Sequence, residues 1–201
     1  MRPARSCRSA PRPSAMRGPS SNGCRACAVL EIASGTGQHA ARFAAEHAGW
    51  TWQPAEADEG ALPAITARCA GLAGVRRPLV LDVVAQPWPV PPGAFDAVYC
   101  ANLIHIAPWP ACAALMSGAA QALKAEGALV LYGPYLVDGE DVAPGNRAFN
   151  ADLQARDPGW GLRRLAAVAA EAGRAGLTLD RRFDMPANNL LLVFRRGPPR
   201  G

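Results

Sequence analysis

VLEIASGTGQH, residues 29–39, decides the fold class of this chain. An apolar run that carries one acid ends in a Gly-x-Gly turn, in which Thr36 separates Gly35 from Gly37. A turn of this kind between a strand and a helix lets a nucleotide cofactor approach the backbone closely, because glycine has no side chain to obstruct it. We therefore predict a strand, a cofactor-binding turn and a helix in this segment.

The length and charge of the chain limit its architecture and its partners. Its 201 residues, 50% of them hydrophobic, suit one domain with a substantial core. No stretch approaches the roughly 18 uninterrupted apolar residues that a membrane-spanning helix needs, so we expect no membrane partner. The formal net charge of the chain is +5, and six arginines precede Glu31, its first acid. Without those six charges, residues 28–201 have a formal net charge of −1. A body this close to neutral offers no basic surface for nucleic acid.

Residues 1–26 differ in composition from the rest of the chain. They are rich in Arg, Ser, Pro and Gly without an apolar period, which predicts a disordered tail ahead of one domain at residues 27–197. Cys24 and Cys27 form a lone CxxC pair, whereas a zinc site needs four ligands at suitable spacing. We interpret the six cysteines as free thiols, which predicts a cytoplasmic location and no bound metal.

Short apolar strands alternate with helical stretches along the rest of the chain. The early strands are continuous apolar runs, which is typical of a parallel sheet that is covered on both faces. This alternation predicts a doubly wound, Rossmann-like α/β fold with a mostly parallel seven-stranded sheet. The predicted strands are 28–33, 49–53, 78–83, 95–101, 128–132, 177–184 and 190–195, and the predicted helices are 38–47, 58–73, 109–125 and 161–175.

Two connections depart from this alternation. Only MPANN, residues 185–189, separates the last two strands, so these should form a C-terminal antiparallel hairpin. Residues 136–160 form an unusually long connection for a compact domain. Connections of this length are more often functional than accidental. We predict that they form a lid on the substrate side, with a short helix near residues 146–156.

Charge near the glycine turn distinguishes between two nucleotide cofactors. Gly35-Thr-Gly37-Gln-His-Ala40 formally matches the dinucleotide motif G-x-G-x-x-G/A, but alone it is a weak signal. A dinucleotide brings a pyrophosphate, which needs cationic or N–H donors, whereas S-adenosylmethionine brings a sulfonium and an ammonium, which need acids. No Lys or Arg occurs between Glu31 and Arg42.

Acids also follow the predicted strands, as Glu56, Asp58 and Asp82 do. We therefore predict S-adenosylmethionine as the cofactor, with the spacing E-x-A-x-G-x-G that methyltransferases use. Gly35 and Gly37 would let the main chain pass beneath the methionine part of the cofactor. Glu31 would orient the turn and offset the ammonium.

The adenosine part of the cofactor has its own predicted partners. Glu56 should accept hydrogen bonds from both ribose hydroxyls. Asp82 should accept one from the adenine amine, while the Val83 N–H should donate to a ring nitrogen. For Asp82 a plain role as a strand-end or helix-capping acid stays open.

On these residues the chain resembles the methyltransferase-like protein 26 family, from about residue 29 to residue 195. The motifs that carry the resemblance are LEIASGTGQHAARFA, WQPAEAD, ANLIHIAPW, LYGPY, NRAFNADLQARDPGWGLR and DMPANNLLLVFRR. The resemblance implies the class I methyltransferase fold, with Glu31, Gly35, Gly37, Glu56 and Asp82 at matching cofactor-side positions. In two respects the sequence departs from the family. The helix that normally precedes the first strand is replaced by the Arg/Pro-rich tail, and Asn150 stands where an Asp is expected.

The segment CANLIHIAPW, residues 100–109, follows the fourth predicted strand, whose end should face the transferable methyl group. Asn102 and His105 are therefore the predicted catalytic residues. His105 is the candidate general base because the ordinary pKa of histidine lies near neutral pH. The alternatives are a histidine held by the backbone and an asparagine that only caps the turn.

The predicted substrate side comes from three later segments. Two tyrosines flank Gly133-Pro134, and further polar and aromatic residues lie in the long connection and the last hairpin. We predict that these residues wall the acceptor pocket, although structural packing is an equal reading for the tyrosines. The candidates are Tyr132, Tyr135, Asn146, Arg156, Trp160 and Asn188.

We therefore predict an S-adenosylmethionine-dependent methyltransferase that acts on a small molecule by in-line displacement. A non-catalytic protein that binds the same cofactor, or a partner, on the same fold is the main alternative, since a fold alone does not establish chemistry. An NAD(P)-dependent oxidoreductase is less favoured. Its Tyr-x-x-x-Lys pair has no counterpart here, because Lys124 is the only lysine of the chain.

Overall fold

A computed structural model describes residues 26–197, so the predicted disorder of the N-terminal tail lies, except for Ala26, outside the described residues. The strands are β1 (Cys27–Ile32), β2 (Trp50–Glu56), β3 (Leu79–Val80), β4 (Phe95–Ala101), β5 (Leu123–Gly133), β6 (Tyr135–Leu136), β7 (Arg163–Arg164), β8 (Leu177–Met185) and β9 (Asn189–Arg196). The α-helices are α1 (Gln38–Glu46), α2 (Leu62–Arg68), α3 (Pro110–Ala122), α4 (Pro144–Arg156) and α5 (Leu165–Arg174). In this part of the chain none of the helices has the length and apolar character that crossing a bilayer requires.

Seven of the strands form one sheet in the order β3-β2-β1-β4-β5-β9-β8. The first five are parallel to one another, and β9 runs antiparallel to both of its neighbours. The predicted mostly parallel seven-stranded sheet with a C-terminal antiparallel hairpin is therefore confirmed. Because β1 lies between β2 and β4, the chain reverses its direction of winding at β1, and ligands of such sheets bind at the carboxyl ends of the strands there.

Helices cover both faces of the sheet. The central strands have consecutive apolar residues, so each of their faces needs a helical layer to bury it. In β1, Val29 joins the core cluster that contains the α1 and α2 residues Ala40 and Ile65. Its neighbour Leu30 joins the opposite cluster, which contains α3 and α5. Alternate residues of a strand point to opposite faces, so a continuous apolar run packs against both helical layers.

Several boundaries differ from those expected from the sequence. The strand β2 runs on through Pro54 to Glu56, so Glu56 ends a strand instead of following one. The predicted helix 58–73 is a short 3-10 turn followed by the seven-residue α2. The predicted strand 78–83 pairs with β2 only at Leu79 and Val80, because this edge strand has one neighbour and soon bends away.

The long connection that we predict to be a lid contains α4, which begins two residues before the predicted helix. Its two ends meet in a short parallel ladder between β6 and β7, in which Tyr135 pairs with Arg163. The Arg163 guanidinium donates hydrogen bonds to the carbonyls of Ile104, Ala107 and Gly159 at 2.6–2.8 Å. This one side chain therefore ties the base of the connection to the segment that follows β4.

Candidate functional site

The carboxyl ends of β1 to β4 converge at one edge of the sheet, where the glycine turn lies between β1 and α1. Gly35 and Gly37 both have left-handed backbone conformations, with φ of +57° and +76°. A Cβ atom at Gly37 would lie 3.0 Å from the Ile65 Cγ2 atom, whereas one at Gly35 would meet no atom within 4 Å. Gly37 is thus required by packing of the turn on α2, and Gly35 leaves the turn open on its outer side.

Glu56, at the end of β2, fixes the outer side of this turn. Its Oε2 atom accepts a hydrogen bond from the Gly35 N–H at 2.7 Å, and its Oε1 atom accepts one from the Ala57 N–H at 2.9 Å. Each carboxylate oxygen has a second lone pair available. The carboxylate therefore lies beside the open face of Gly35, with acceptor capacity left for a ligand.

Glu31 is buried beneath the turn, with only 1% of its surface exposed. Its Oε2 atom accepts a hydrogen bond from the Trp52 indole N–H at 2.9 Å, which sets the orientation of the carboxylate. The Oε1 atom has no hydrogen-bond partner among residues 26–197. His39 Nδ1 lies 3.3 Å away, at ion-pair distance but without hydrogen-bond geometry. His39 lies on the first turn of α1, which brings it close to Glu31, a contact that we did not predict from the sequence.

One cation contradicts the expectation that no positive side chain lies near the turn. Arg68, the last residue of α2, donates a hydrogen bond from Nε to the Thr36 carbonyl at 2.7 Å. It lies 32 positions along the chain from Thr36, so the local sequence gave no sign of it. Acids still outnumber this single guanidinium at the crevice, because Glu31, Glu56 and Asp82 all lie at the ends of neighbouring strands.

The predicted adenine partners lie beyond the end of β3, not within it. Asp82 is exposed and its Oδ1 atom accepts a hydrogen bond from the Val84 N–H at 3.1 Å, which is the turn-capping geometry that the alternative reading expected. Val83 is buried, and its carbonyl accepts hydrogen bonds from the side chains of Gln86 and Trp88. These contacts hold the segment after β3 in a fixed turn beside the crevice.

Asn102 lies where the sequence places it, directly after β4 and exposed at the crevice. Its left-handed backbone, with φ of +61°, is a conformation that asparagine tolerates better than most residues. The Asn102 N–H donates to the Tyr132 carbonyl at 2.8 Å, and its own carbonyl accepts from the His105 N–H at 3.0 Å. The side chain makes no cap of the following 3-10 turn, so it is free to contact a ligand.

His105 does not face the crevice as a general base would. Its surface is completely buried, and neither ring nitrogen has a hydrogen-bond partner among the described residues. Burial lowers the pKa of His105 from 6.5 to about 4. A Cβ atom at Gly133 would lie 2.6 Å from its Nε2 atom and 3.0 Å from the Asn102 Oδ1 atom. This geometry does not support the predicted general base and fits the alternative of a histidine held by the backbone, since the His105 N–H donates to Asn102 and its carbonyl accepts from the Gly161 N–H.

The buried state of His105 should make unfolding depend on pH. Because the folded pKa of about 4 lies below the unfolded value of 6.5, the unfolded chain takes up the proton first. The neutral His105 ring therefore contributes about 3 kcal/mol to the free energy of unfolding. This contribution is fully present above pH 6.5 and is lost as the pH falls towards 4. Chemical denaturation from pH 7.5 to 4 should show this loss in the wild type and a smaller one in His105→Leu. Equal losses in both proteins would contradict the assignment.

A cavity of about 260 Å³ lies between the long connection and the β8–β9 hairpin. Three of the predicted substrate residues, Tyr135, Asn146 and Asn188, line it. A fourth, Tyr132, lies at its edge, where its hydroxyl accepts a hydrogen bond from the Asn189 side chain at 3.0 Å. The structure thus brings together residues from β5, the connection and the hairpin, as the sequence predicts.

Two predicted substrate residues lie elsewhere. Arg156, at the end of α4, places its guanidinium 5.1 Å from the centre of the Trp160 ring, and neither residue lines the cavity. The two stabilise the far side of the connection through a cation–π contact. Asn150 also serves the connection itself, because its Oδ1 atom accepts a hydrogen bond from the Leu162 N–H at 2.8 Å. In the part of the chain that the structure describes, no group of three or more potential metal ligands occurs.

Comparison with known proteins adds a family and a set of folds. A family model described as "Protein of unknown function (DUF938)" matches residues 16–196. The pyocyanin biosynthetic protein PhzM superimposes with a TM-score of 0.73 at 17% sequence identity, covering 86% of this chain and 51% of that one. The human N-acetylserotonin methyltransferase, solved in complex with S-adenosylmethionine, gives a TM-score of 0.73 at 12% identity, covering 85% of this chain and 48% of that one.

A putative methyltransferase from Bacillus halodurans C-125 matches over most of both chains. Its TM-score is 0.66 at 19% identity, with 86% of this chain and 93% of that chain covered. This chain spans only about half the length of PhzM and of the human enzyme. Similarity at these identities shows the fold, which is that of the class I methyltransferases.

Proposed function

The chain belongs to the DUF938 family, and we propose that it is an S-adenosylmethionine-dependent methyltransferase that acts on a small molecule. The observation that carries this proposal is the open outer side of Gly35, beside which the Glu56 carboxylate lies. S-adenosylmethionine needs this combination, because its two ribose hydroxyls require an acceptor and its methionine part requires close approach to the backbone. Resemblance to the methyltransferase-like protein 26 family is part of the same proposal.

The strand order supports S-adenosylmethionine over a dinucleotide. Dinucleotide-binding sheets commonly have the order 3-2-1-4-5-6, without an antiparallel strand between the fifth and the last. Here β9 lies antiparallel between β5 and β8. This strand order favours S-adenosylmethionine even though Arg68 places a positive charge at the turn.

The residues at the crevice fit the proposed cofactor on two further observations. Glu31 Oε1 is a buried acceptor without a hydrogen-bond partner among residues 26–197, on the side of the turn where positive charge is expected. Gly35 provides room for a ligand against the backbone. Glu56 would hold the ribose, Asp82 and the Val83 N–H the adenine, and the turn of Gly35 and Gly37 the methionine part.

The acceptor would be bound on the β5–β9 side of the crevice, next to Asn102. When bound, S-adenosylmethionine would supply an electrophilic sulfonium methyl group for transfer to a lone pair of the acceptor. Asn102 would align the acceptor by a hydrogen bond from its exposed amide, and His105 and Gly133 would hold Asn102 in place. Burial of His105 leaves the acceptor proton to pass to solvent or to a carboxylate of the substrate side.

Replacement of Asn102 with alanine should lower turnover and leave cofactor binding unchanged. The amide contacts only the acceptor in this proposal, and misalignment of reacting groups costs on the order of a hundredfold in rate. The test measures S-adenosylhomocysteine formation over a panel of small nucleophiles, together with calorimetry of cofactor binding, for the wild type and Asn102→Ala. Gln121→Ala is the matched control, because it removes an exposed amide near the end of α3 that has no part in the proposed site.

The alternative of a cofactor-binding protein without turnover has one observation in its favour, since His105 is not available as a base. Cofactor binding without S-adenosylhomocysteine formation over the whole panel would support that alternative. The domain limits 27–197 and a cytoplasmic location also remain proposals. The second of these rests on the free thiols of Cys27, Cys69, Cys100 and Cys112.

A further inference from the structure

The cavity between the connection and the hairpin lies on the acceptor half of the molecule. The Asn189 side chain belongs to its lining and also donates to the Tyr132 hydroxyl, while the Tyr132 carbonyl accepts the Asn102 N–H. These contacts connect the cavity to the residue that faces the crevice. Its volume of about 260 Å³ suits a small organic molecule and not a macromolecular segment.

Two amide side chains of the cavity have oriented N–H groups and open carbonyl oxygens. Asn146, which is 9% exposed, donates from Nδ2 to the Asn188 carbonyl at 3.0 Å. Asn189 donates from Nδ2 to the Tyr132 hydroxyl and to the Pro186 carbonyl. Because carbonyl oxygens only accept, they fix the orientation of both amides. The Oδ1 atoms of Asn146 and Asn189 are left without a donor among the described residues.

Charge in the same cavity is negative. Glu140, Asp141 and Asp184 line it, with Arg182 as the only cationic residue of the lining. The Arg182 guanidinium is engaged by Glu140 at 2.5 and 2.7 Å and by Asp184 at 3.1 Å. The hydrogen bond from Arg182 lowers the pKa of the Glu140 carboxyl, so Glu140 is ionised at neutral pH. Asp141 has no ion pair within residues 26–197.

Apolar groups complete the lining and leave room for a hydrocarbon. Val137, Met185 and Leu190 lie on the walls. Arg147 reaches the rim, where it donates to the Val142 carbonyl, but it is not part of the lining. The cavity therefore combines surplus acceptors and negative charge with an apolar wall.

We propose that this cavity holds the methyl acceptor, a small molecule that is anchored by a positively charged amine and whose short apolar body carries a separate nucleophilic atom, which takes the methyl group and loses its proton to solvent. This inference rests on the proposed function, since it names the acceptor class of the same site. The ammonium group supplies the donors that Asn146, Asn189 and Asp141 lack, and the apolar body packs on Leu190 and Val137. A carboxylate-bearing acceptor of the same size is disfavoured by repulsion from the unpaired Asp141.

The test compares three probes of matched size and different charge in the full chain. Binding of 2-phenylethylamine, 2-phenylethanol and 3-phenylpropionate is measured by protein-observed NMR titration without cofactor. We expect the amine to bind at least about tenfold more tightly than the alcohol, and the carboxylate to bind most weakly. Equal binding of the three probes, or tightest binding of the carboxylate, would overturn the inference.

A pair of variants locates the charge that is responsible. Asp141→Asn should weaken amine binding roughly five- to tenfold and leave alcohol binding unchanged. Asp138→Asn is the matched control, because Asp138 belongs to the same connection but pairs with Arg164 outside the cavity. Both carboxylates are exposed, so neither change should affect folding. Unchanged amine binding in Asp141→Asn would contradict the proposal, whereas failure of the proposed function appears separately, as absence of cofactor binding in calorimetry.

Discussion

Gly37→Ala should destabilise the protein by roughly 2–5 kcal/mol. The added Cβ atom would lie 3.0 Å from Ile65 Cγ2 and 3.2 Å from the Ile65 Cα atom, so either α2 or the turn has to shift. The left-handed conformation, with φ of +76°, adds about 1–2 kcal/mol for any residue with a side chain. Overpacking in a closed contact costs a further amount of about 1–3 kcal/mol. Chemical denaturation measures this difference directly.

Two other glycines separate packing from ligand contact. Gly35→Ala has the same backbone cost but no clash, so it should lower stability by only about 1–2 kcal/mol and still weaken cofactor binding strongly. Gly71→Ala is the control, since Gly71 is also left-handed and open but lies away from the crevice. The proposal is contradicted if Gly35→Ala binds S-adenosylmethionine as tightly as Gly71→Ala does.

Glu56→Ala should weaken S-adenosylmethionine binding by at least roughly a hundredfold. The variant removes the acceptor for two ribose hydroxyls, and each hydrogen bond to a charged group contributes about 1.5–3 kcal/mol. It also leaves the Gly35 N–H without its carboxylate partner, which loosens the turn. Calorimetry of the wild type and the variant gives the ratio of dissociation constants.

The matched control for this loss of charge is Glu46→Ala. Glu46 lies at the end of α1 and pairs on the surface with Arg42 at 2.6 Å, one helical turn earlier. An exposed pair of this kind contributes little, so binding and stability should both stay near the wild-type values. If Glu46→Ala and Glu56→Ala bind the cofactor equally, the role of Glu56 in the site is wrong.

The sequence predicts the architecture well because the signal is local. The alternation of apolar runs and helical stretches defines β1, β4, β5 and the final hairpin, and the GxG turn between β1 and α1 is visible in eleven residues. Strand ends are less well predicted, because pairing with a neighbour decides where a strand stops. Thus β2 extends through Pro54 with β1 as its partner, while β3 keeps only two paired residues.

The candidate site is predicted less completely because its contacts are distant in sequence. Asn102 and Glu56 follow from their position at strand ends, which sequence periodicity reveals. The Arg68 contact with Thr36 and the Arg163 contacts with Ile104 depend on how α2 and the long connection pack, and no local pattern encodes them. The burial of His105 is not predicted for the same reason, since nothing in the sequence around it shows that Tyr135 of β6 will pack against its ring.

The crevice at the ends of β1 and β2 is expected to bind S-adenosylmethionine. Titration calorimetry of the folded wild-type protein with S-adenosylmethionine and, in parallel, with NAD measures this binding. We expect one binding event for S-adenosylmethionine, lost in Glu56→Ala, and no comparable heat for NAD. Absence of S-adenosylmethionine binding by a sample that shows cooperative unfolding, or tighter binding of NAD, would contradict it.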